Sequence, residues 1–496
     1  MYGFLTCAII AQSSWAKVYG DARAWQGVWC LVQTPDGGYI LGTNSADGDG
    51  YATLVKTDAN GNPQQIRKFW AFVPFTDIIP TADGGYIAVS PDKFDGGVFP
   101  EVVKLNASFN PQWIYSYEPL TTNAHSPWSV VRTPDGGYAI GGWGWYPGGQ
   151  PFILKLNSTG GASWARYIYL DGEPNYTCSM ISTSDGGYAM LGDHSSGAAD
   201  VFLLKLSSTP SVQWAVSIGG PGYEELYFSS YNLIQTADGG YALVCYTDSY
   251  GAGSWDIMVV KLDGSGNLVW AKTYGGPGDD GPEGILQTSD YGYLVWGGTG
   301  SWGPGGGDLL VMRLDNSGNL IWARVFGEPG VLDVAYSAIQ TSDGGYAIGG
   351  ATGGSEAKAL LLKLDANGNY PDCILDCQPS VTSVTPAVAP TTAEIYSANV
   401  YRYTDDAPTT INFTTIPMCT PLELEKQPSK NPEMRCAPIP GGLLFVSESK
   451  MIVDIYAPDG RLVRREQLKE SQTRIPLDPG VYFWQAGPYE GKAVVR

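Results

Sequence analysis

The side chains in this sequence that could do chemistry gather in short glycine-rich segments. Acids come in pairs there: Glu224 and Glu225 follow Tyr223, and Asp279 and Asp280 shortly precede Glu283. Aromatic residues stand in similar segments. Trp143, Trp145 and Tyr146 lie in GGWGWYPGG, Trp255 precedes Asp256, and Trp302 sits in GSWGPGGG. Two carboxylates at a set separation can cleave a glycosidic bond, one giving a proton and the other acting as base or nucleophile. Aromatic faces beside carboxylates suit sugar rings, through stacking and hydrogen bonds to hydroxyls, or cationic groups. The leading expectation is a binding or scaffold module, non-enzymatic, for carbohydrate or another surface macromolecule. Trp143, Trp145, Tyr146, Tyr223, Trp255 and Trp302 are its candidate ligand contacts. The alternative is a polysaccharide-active hydrolase or lyase, with Asp279, Asp280, Glu224 and Glu225 as the candidate acids.

Other chemistries find little support. There are two histidines, His125 and His194, which excludes a three-histidine zinc site and leaves little for imidazole acid–base work. Nucleophile elbows, phosphate-binding loops, HExxH strings and EF-hand loops are absent. The segment GPGDDGPEG lacks the alternating oxygen ligands of known calcium loops, so neither a metal nor a cofactor is expected. A net charge of −20 repels phosphate backbones and speaks against nucleic acid. No stretch reaches transmembrane length. Eight cysteines form no CxxC pair. Cys30, Cys178 and Cys245, in apolar contexts, read as small buried hydrophobes. Cys373, Cys377, Cys419 and Cys436 lie in or beside Pro/Thr-rich text, where disulfides would suit an extracellular setting.

The elements that must position these residues announce themselves as repeats. Asp-Gly-Gly-Tyr begins at Asp36, Asp83, Asp135, Asp185, Asp238 and Asp343, and a seventh copy reads Asp290-Tyr291-Gly292-Tyr293. About twenty residues after each comes an apolar run ending in Lys or Arg, then a Gly/Asn turn. A strand headed by Trp follows, at Trp113, Trp164, Trp214, Trp270 and Trp322, with Gln65 in the first copy. Asp-Gly-Gly supplies the positive φ of a tight hairpin, and the L-D-x-x-G-N turn does the same between the third and fourth strands. Each unit of ~50 residues therefore reads as four antiparallel strands, A to D. Sheets apolar on both faces and repeated radially make a β-propeller. The expected fold is all-β: a seven-bladed β-propeller closed by an N-terminal strand, then a linker and a small C-terminal β-sandwich.

Closure has its own signature. The last repeat stops at Pro371 without a Trp strand, and the missing strand stands at the other end as Trp15-Ala16-Lys17-Val18-Tyr19. The repeating Lys or Arg is expected to neutralise its own blade's turn aspartate, as Lys261 with Asp238, and the Trp to pack between blades. The A–B and C–D turns are nearly uniform, whereas the B–C and D–A links differ in every blade. Divergent loops suit recognition, so the working face belongs there.

At these landmarks the chain resembles the DGGY-type propeller repeats of secreted bacterial and archaeal proteins, over roughly residues 15–370. That resemblance implies the fold and no reaction. The L-D-x-x-G-x-x-x-W string also resembles the tryptophan-docking repeat of quinoprotein dehydrogenases. Those usually have eight blades and an adjacent cysteine pair, and no two cysteines are adjacent here.

The remaining text divides in three. Residues 1–11 read as a short signal peptide around the apolar run Phe4–Ala11, with 12–370 as the propeller. Residues 371–430 read as a Thr/Pro-rich linker with a few strands. Residues 431–496 recover strand signals, with Asn431-Pro432, Val453-Asp454-Ile455-Tyr456, Asp459-Gly460-Arg461-Leu462-Val463, Leu477-Asp478-Pro479-Gly480-Val481-Tyr482-Phe483 and the basic end Gly491-Lys492-Ala493-Val494-Val495-Arg496. In this order they resemble the C-terminal sorting domain of type IX secretion cargo. That implies type IX machinery as a partner and an extracellular or outer-membrane-surface location on a Gram-negative bacterium.

Overall fold

A computed structural model of the chain describes residues 14–19, 27–44, 52–69, 73–94, 97–119, 125–144, 149–170, 175–194, 200–226, 230–353 and 357–370 of the repeat region. Beyond it the described segments are 375–376, 380–385, 387–391, 393–398, 400–404, 415–417, 434–439, 442–447, 452–456, 462–467, 471–476, 480–486 and 489–495. The signal-peptide expectation, Trp145, Tyr146, Cys7, Cys373, Cys377 and Cys419 lie outside them.

The local chemistry of the A–B turn explains why each blade starts as it does. Thr34 O accepts from Gly37 N–H and Thr34 N–H donates to Gly38 O, both at 2.9 Å. This is a three-residue loop with its third residue left-handed. Gly37 has φ 83°, and its counterparts repeat that value closely. The second glycine serves close approach instead. A Cβ on Gly85 would stand 2.1 Å from Leu105 O and 2.8 Å from Lys104 Nζ. In the seventh copy Tyr291 takes the left-handed place, at φ 67°, with 62% of its surface exposed. Such a conformation costs an L-residue roughly 1–2 kcal/mol, and little packing offsets it here. Tyr291→Gly is therefore expected to raise the unfolding midpoint. An unchanged or lower midpoint in a thermal melt would remove the strain argument.

The repeats pair as expected. Seven sheets occupy residues 30–69, 77–119, 125–170, 175–219, 224–275, 280–326 and 334–364, numbered here as blades 1 to 7. Trp15–Tyr19 joins blade 7 antiparallel to Lys358–Leu364, with Trp15 opposite Lys363. The chain ends thus close the ring. A second contact shows that the closing boundary is like the others: Ser342 N–H donates to Gln33 Oε1 at 2.8 Å. Ser184–Gln235, Ala237–Gln287 and Ser289–Gln340 make the same bond between consecutive blades.

The cores lie between blades, where apolar faces of neighbouring sheets meet. The recurrent Trp belongs to this packing. Trp15 meets Tyr39 of blade 1 edge-on at 5.9 Å, and Trp164–Tyr188, Trp214–Tyr241, Trp270–Tyr293 and Trp322–Tyr346 repeat the pair. Tyr19 and Tyr117 hydroxyls add a tie, each donating at 2.7 Å to the C–D turn carbonyl of the next blade. Cys30 and Cys245 are buried free thiols within these cores.

The segment read as a linker pairs with the ring. Its described segments between 375 and 417 lie along the outer strands of the ring, adding a fifth strand to one blade after another in reverse order. Leu375–Asp376 pairs with blade 6, Ser380–Val384 with blade 5, Ala387–Pro390 with blade 4 and Ala393–Ala398 with blade 3. Val400–Thr404 then pairs with blade 2, and Thr415–Pro417 with Trp15–Tyr19 of blade 7. The outermost strand of a propeller blade carries an unpaired row of N–H and C=O groups. A Thr/Val-rich segment with short polar interruptions has the β-propensity to satisfy them. The strands expected around Ala393–Tyr403 are present, the described segments of this stretch act as a belt, and residues 1–420 form one compact unit. Residues 421–496 form the other, with strands in two antiparallel sheets of three and four and with Val453, Ile455 and Ile475 buried.

Candidate functional site

At the end of the ring that carries the uniform turns, the seven basic residues are committed. Lys104–Asp83, Lys155–Asp135 and Lys205–Asp185 each close to 2.8 Å, Lys363–Asp343 to 2.9 Å, Lys261–Asp238 to 3.0 Å and Lys56–Asp36 to 3.5 Å, and Arg313 pairs with Asp290. Lys104, Lys155, Lys205, Lys261 and Lys363 also donate to the following carbonyl, Lys205 to Leu206 O at 2.9 Å for example. These cations tie two turns of one blade together, so they form no anion-binding ring.

The opposite end holds the divergent loops. Three successive blade boundaries there share one plan. Where strand A begins, Glu224, Asp280 and Asp333 each reach back to accept from a turn amide: Gly220 N–H at 2.6 Å, Gly276 N–H at 2.7 Å and Glu328 N–H at 2.9 Å. Glu224 also accepts from Thr247 Oγ1 at 2.7 Å, and Asp280 from Thr299 Oγ1 and Ser301 Oγ. Both are wholly buried. Burial is the main reason Glu224 is raised above the usual carboxylate range, and the nearby Asp200 adds to it. A second acid, at the start of strand C in the preceding blade, pins the B–C loop. Asp256 Oδ2 accepts from Ala252 and Gly253 N–H at 2.8 and 3.0 Å, and Asp308 Oδ2 from Gly305 N–H at 3.2 Å.

The sequence-derived residues therefore separate. Glu224 and Asp280 hold loops in shape, while Glu225 and Asp279 point to solvent from different blades. Among the aromatics, Tyr223 is 44% exposed. Trp143 is buried, edge-on to Tyr176 at 4.9 Å, and Trp255 is half-buried against Tyr246 at 6.3 Å. Trp302 lies over Gly276, where a Cβ would come within 2.7 Å of its ring. The structure brings none of these into hydrogen-bonded or stacked contact with one another, among the described residues. Nor does any group of three His, Cys, Asp or Glu side chains converge there as a metal cluster. His125 is buried, bonded to the Tyr167 hydroxyl, and burial lowers it to about 4, so it is neutral at pH 7.

A further set escaped the sequence reading. In blades 3, 4, 6 and 7 the innermost pairing steps over one residue: Trp128, Cys178, Glu283 and Tyr336. Each stands five positions before the Thr of its Thr-x-Asp turn, and Trp29, Thr76 and Tyr231 hold that place in the other blades. Such bulges re-aim a side chain. Here the position varies as W, T, W, C, Y, E and Y while its flanks repeat, and that variation was the available signal. Trp29 stacks on Tyr336 at 4.2 Å. Tyr231 donates to Asp77 Oδ1 at 3.4 Å, and Ser230 Oγ donates to Thr76 O at 3.1 Å. Blades 5 and 2 are not neighbours in a ring of seven, so these bonds cross its middle. Burial outweighs the amides of Val130 and Ile78 and the Tyr231 hydroxyl at Asp77, and lifts its carboxyl to about 7. Burial also pushes Glu283 well up, without a second acid contributing. The middle of the ring is thus crossed by hydrogen bonds, the Asp77 carboxyl among their acceptors.

No family profile matches the sequence, and no curated protein does. Similar solved structures are remote. One is a protein of unknown function from Bacteroides caccae, 12% identical, covering 59% of this chain and 94% of that one at a TM-score of 0.37. Quinohemoprotein alcohol dehydrogenase from Comamonas testosteroni is 12% identical and covers 72% and 77% at 0.40. PorZ, a surface component of the type IX secretion system of Porphyromonas gingivalis, is 8% identical and covers 95% and 81% at 0.28. Likenesses this distant carry no functional weight.

Proposed function

We propose that this chain is a secreted or surface-held propeller that binds without cutting. Its ligand would be a carbohydrate or another surface macromolecule, met on the face of the B–C and D–A loops, and residues 431–496 would address it to type IX export. What carries the reading is the fate of the acids on that face. Glu224 and Asp280 are spent on turn amides and hydroxyls, and the exposed Tyr223 stands beside the exposed Glu225, whose charge acts on the half-buried Asp193 of blade 4. An aromatic face flanked by an acid suits a sugar or a cationic group. The export reading rests on the ordered motifs of the tail.

The test uses purified residues 12–420, so that the belt is kept, against a panel of bacterial and plant polysaccharides. Retention without new reducing or unsaturated ends, weakened at least tenfold by Tyr223→Ala, is the expected result. New ends that vanish in Asp279→Ala or Glu225→Ala would establish the hydrolase or lyase instead. Silence on both counts would leave a protein partner or a structural role.

A further inference from the structure

The boundary between blades 6 and 7 holds two acids that the loop-pinning role does not exhaust. Asp308 and Asp333 are each 1% exposed. They converge on Gly327, where a Cβ would stand 1.8 Å from Asp308 Oδ1 and 3.1 Å from Asp333 Oδ2. Each keeps one oxygen for its loop: Asp308 Oδ2 takes Gly305 N–H, and Asp333 Oδ2 takes Glu328 N–H. The others are left over. Asp308 Oδ1 is buried without a hydrogen-bond partner, and Asp333 Oδ1 lacks one of normal geometry, with Thr352 beside it. The Glu328 side chain adds a third negative charge close by, and no Lys or Arg among the described residues pairs with Asp308 or Asp333. Two desolvated carboxylates this close need a compensating positive charge, a proton or a cation.

We propose that Asp308 and Asp333 bind a divalent cation, Ca²⁺, which clamps the Gly-rich B–C loop of blade 6 to the turn that enters blade 7. The ligand chemistry selects the class. Carboxylate and hydroxyl oxygens, with no imidazole or thiolate in reach, favour a hard ion, and a flexible loop suits Ca²⁺ better than the strict octahedron of Mg²⁺. Water and backbone carbonyls complete the shell. The preceding boundary carries a partial version. Asp256 Oδ1 and Thr273 Oγ1 are both buried without partners there, in the places where Ser217 Oγ donates to Asp200 Oδ2 one blade earlier, at 3.2 Å. The series from Asp200 to Asp308 thus runs from a satisfied acid to one with an oxygen to spare.

The full-length chain, stripped with chelator and returned to pH 7.5, decides the matter by calorimetric titration with CaCl2 and by thermal melts. Saturable uptake of Ca²⁺ and a midpoint raised by several degrees are expected, since a ligand of the folded state alone stabilises it. Asp308→Asn and Asp333→Asn should each lose this uptake and most of the shift. Wild-type protein that takes up no Ca²⁺ overturns the proposal by itself, whether or not the variants fold. Uptake that persists in both variants also overturns it, because the site is then elsewhere. So does a wild-type midpoint that does not respond to the cation.

Discussion

Ending the chain at Tyr370 is expected to make the propeller aggregate. The seven sheets would keep their strands A to D, but the outer strands of blades 2 to 7 would lose the fifth strand that pairs with each of them. Six exposed edges of regular β-structure invite pairing between molecules. Ending at Thr420 keeps the belt and the compact unit to which it belongs. Size-exclusion profiles of the two truncations, made side by side, check this. A monomeric chain 12–370 with the melting behaviour of 12–420 would show that the belt is dispensable. The effect should greatly exceed that of any point substitution, because dozens of backbone groups change state together.

The second large effect concerns pH, and its sign is set by two opposed sets of carboxyls. Lys104 and Thr81 donate to Asp83, and Lys155 and Thr133 to Asp135, and they hold each carboxyl near 2. A carboxyl depressed below the ~4 of the unfolded chain lends stability that is complete above that pH and lost as pH falls toward 2. Asp77 and Asp193 are the reverse. Burial lifts each to about 7, and at Asp193 the Glu225 charge adds to it. Their contribution is complete below pH 4 and lost as pH rises through 7, and for Asp77 it amounts to a few kcal/mol. The unfolding midpoint, measured with chelator present, should therefore peak near pH 4 to 5 and fall on both sides. Asp77→Asn should flatten the alkaline limb. The slope is the readout, since the amide also disturbs the bonds to Val130, Ile78 and Tyr231 and lowers the whole curve. Equal slopes for wild type and Asp77→Asn would count against the buried ionisation.

Much of this molecule was legible one repeat at a time. The Thr-x-Asp-Gly turn, the apolar run before the basic residue and the Trp strand are local signals repeated around the ring, with Tyr291 and Gln65 as single departures, so an exception in one copy is corrected by the others. The ion pair of Lys261 with Asp238 and the interblade Trp were readable for the same reason. The candidate site was less legible. Glu224 and Glu225 are adjacent in one strand, yet one is buried against a turn and the other faces solvent, because successive residues of a strand point to opposite sides. Trp143 looked like a loop aromatic and is the end of a strand packed on Tyr176.

By itself the sequence determined the number of blades, the four strands of each and the end-to-end closure, for these follow from alternation and turn chemistry within ~50 residues. Only the tertiary structure decided where the described segments between 375 and 417 go, which acids converge at Gly327, and that Tyr231 reaches Asp77 across the ring. Those contacts join positions far apart in the chain, 154 residues for the last. A β-edge accepts any extended segment of adequate propensity, and a carboxylate accepts any donor, so neither carries a mark in the sequence of its distant partner.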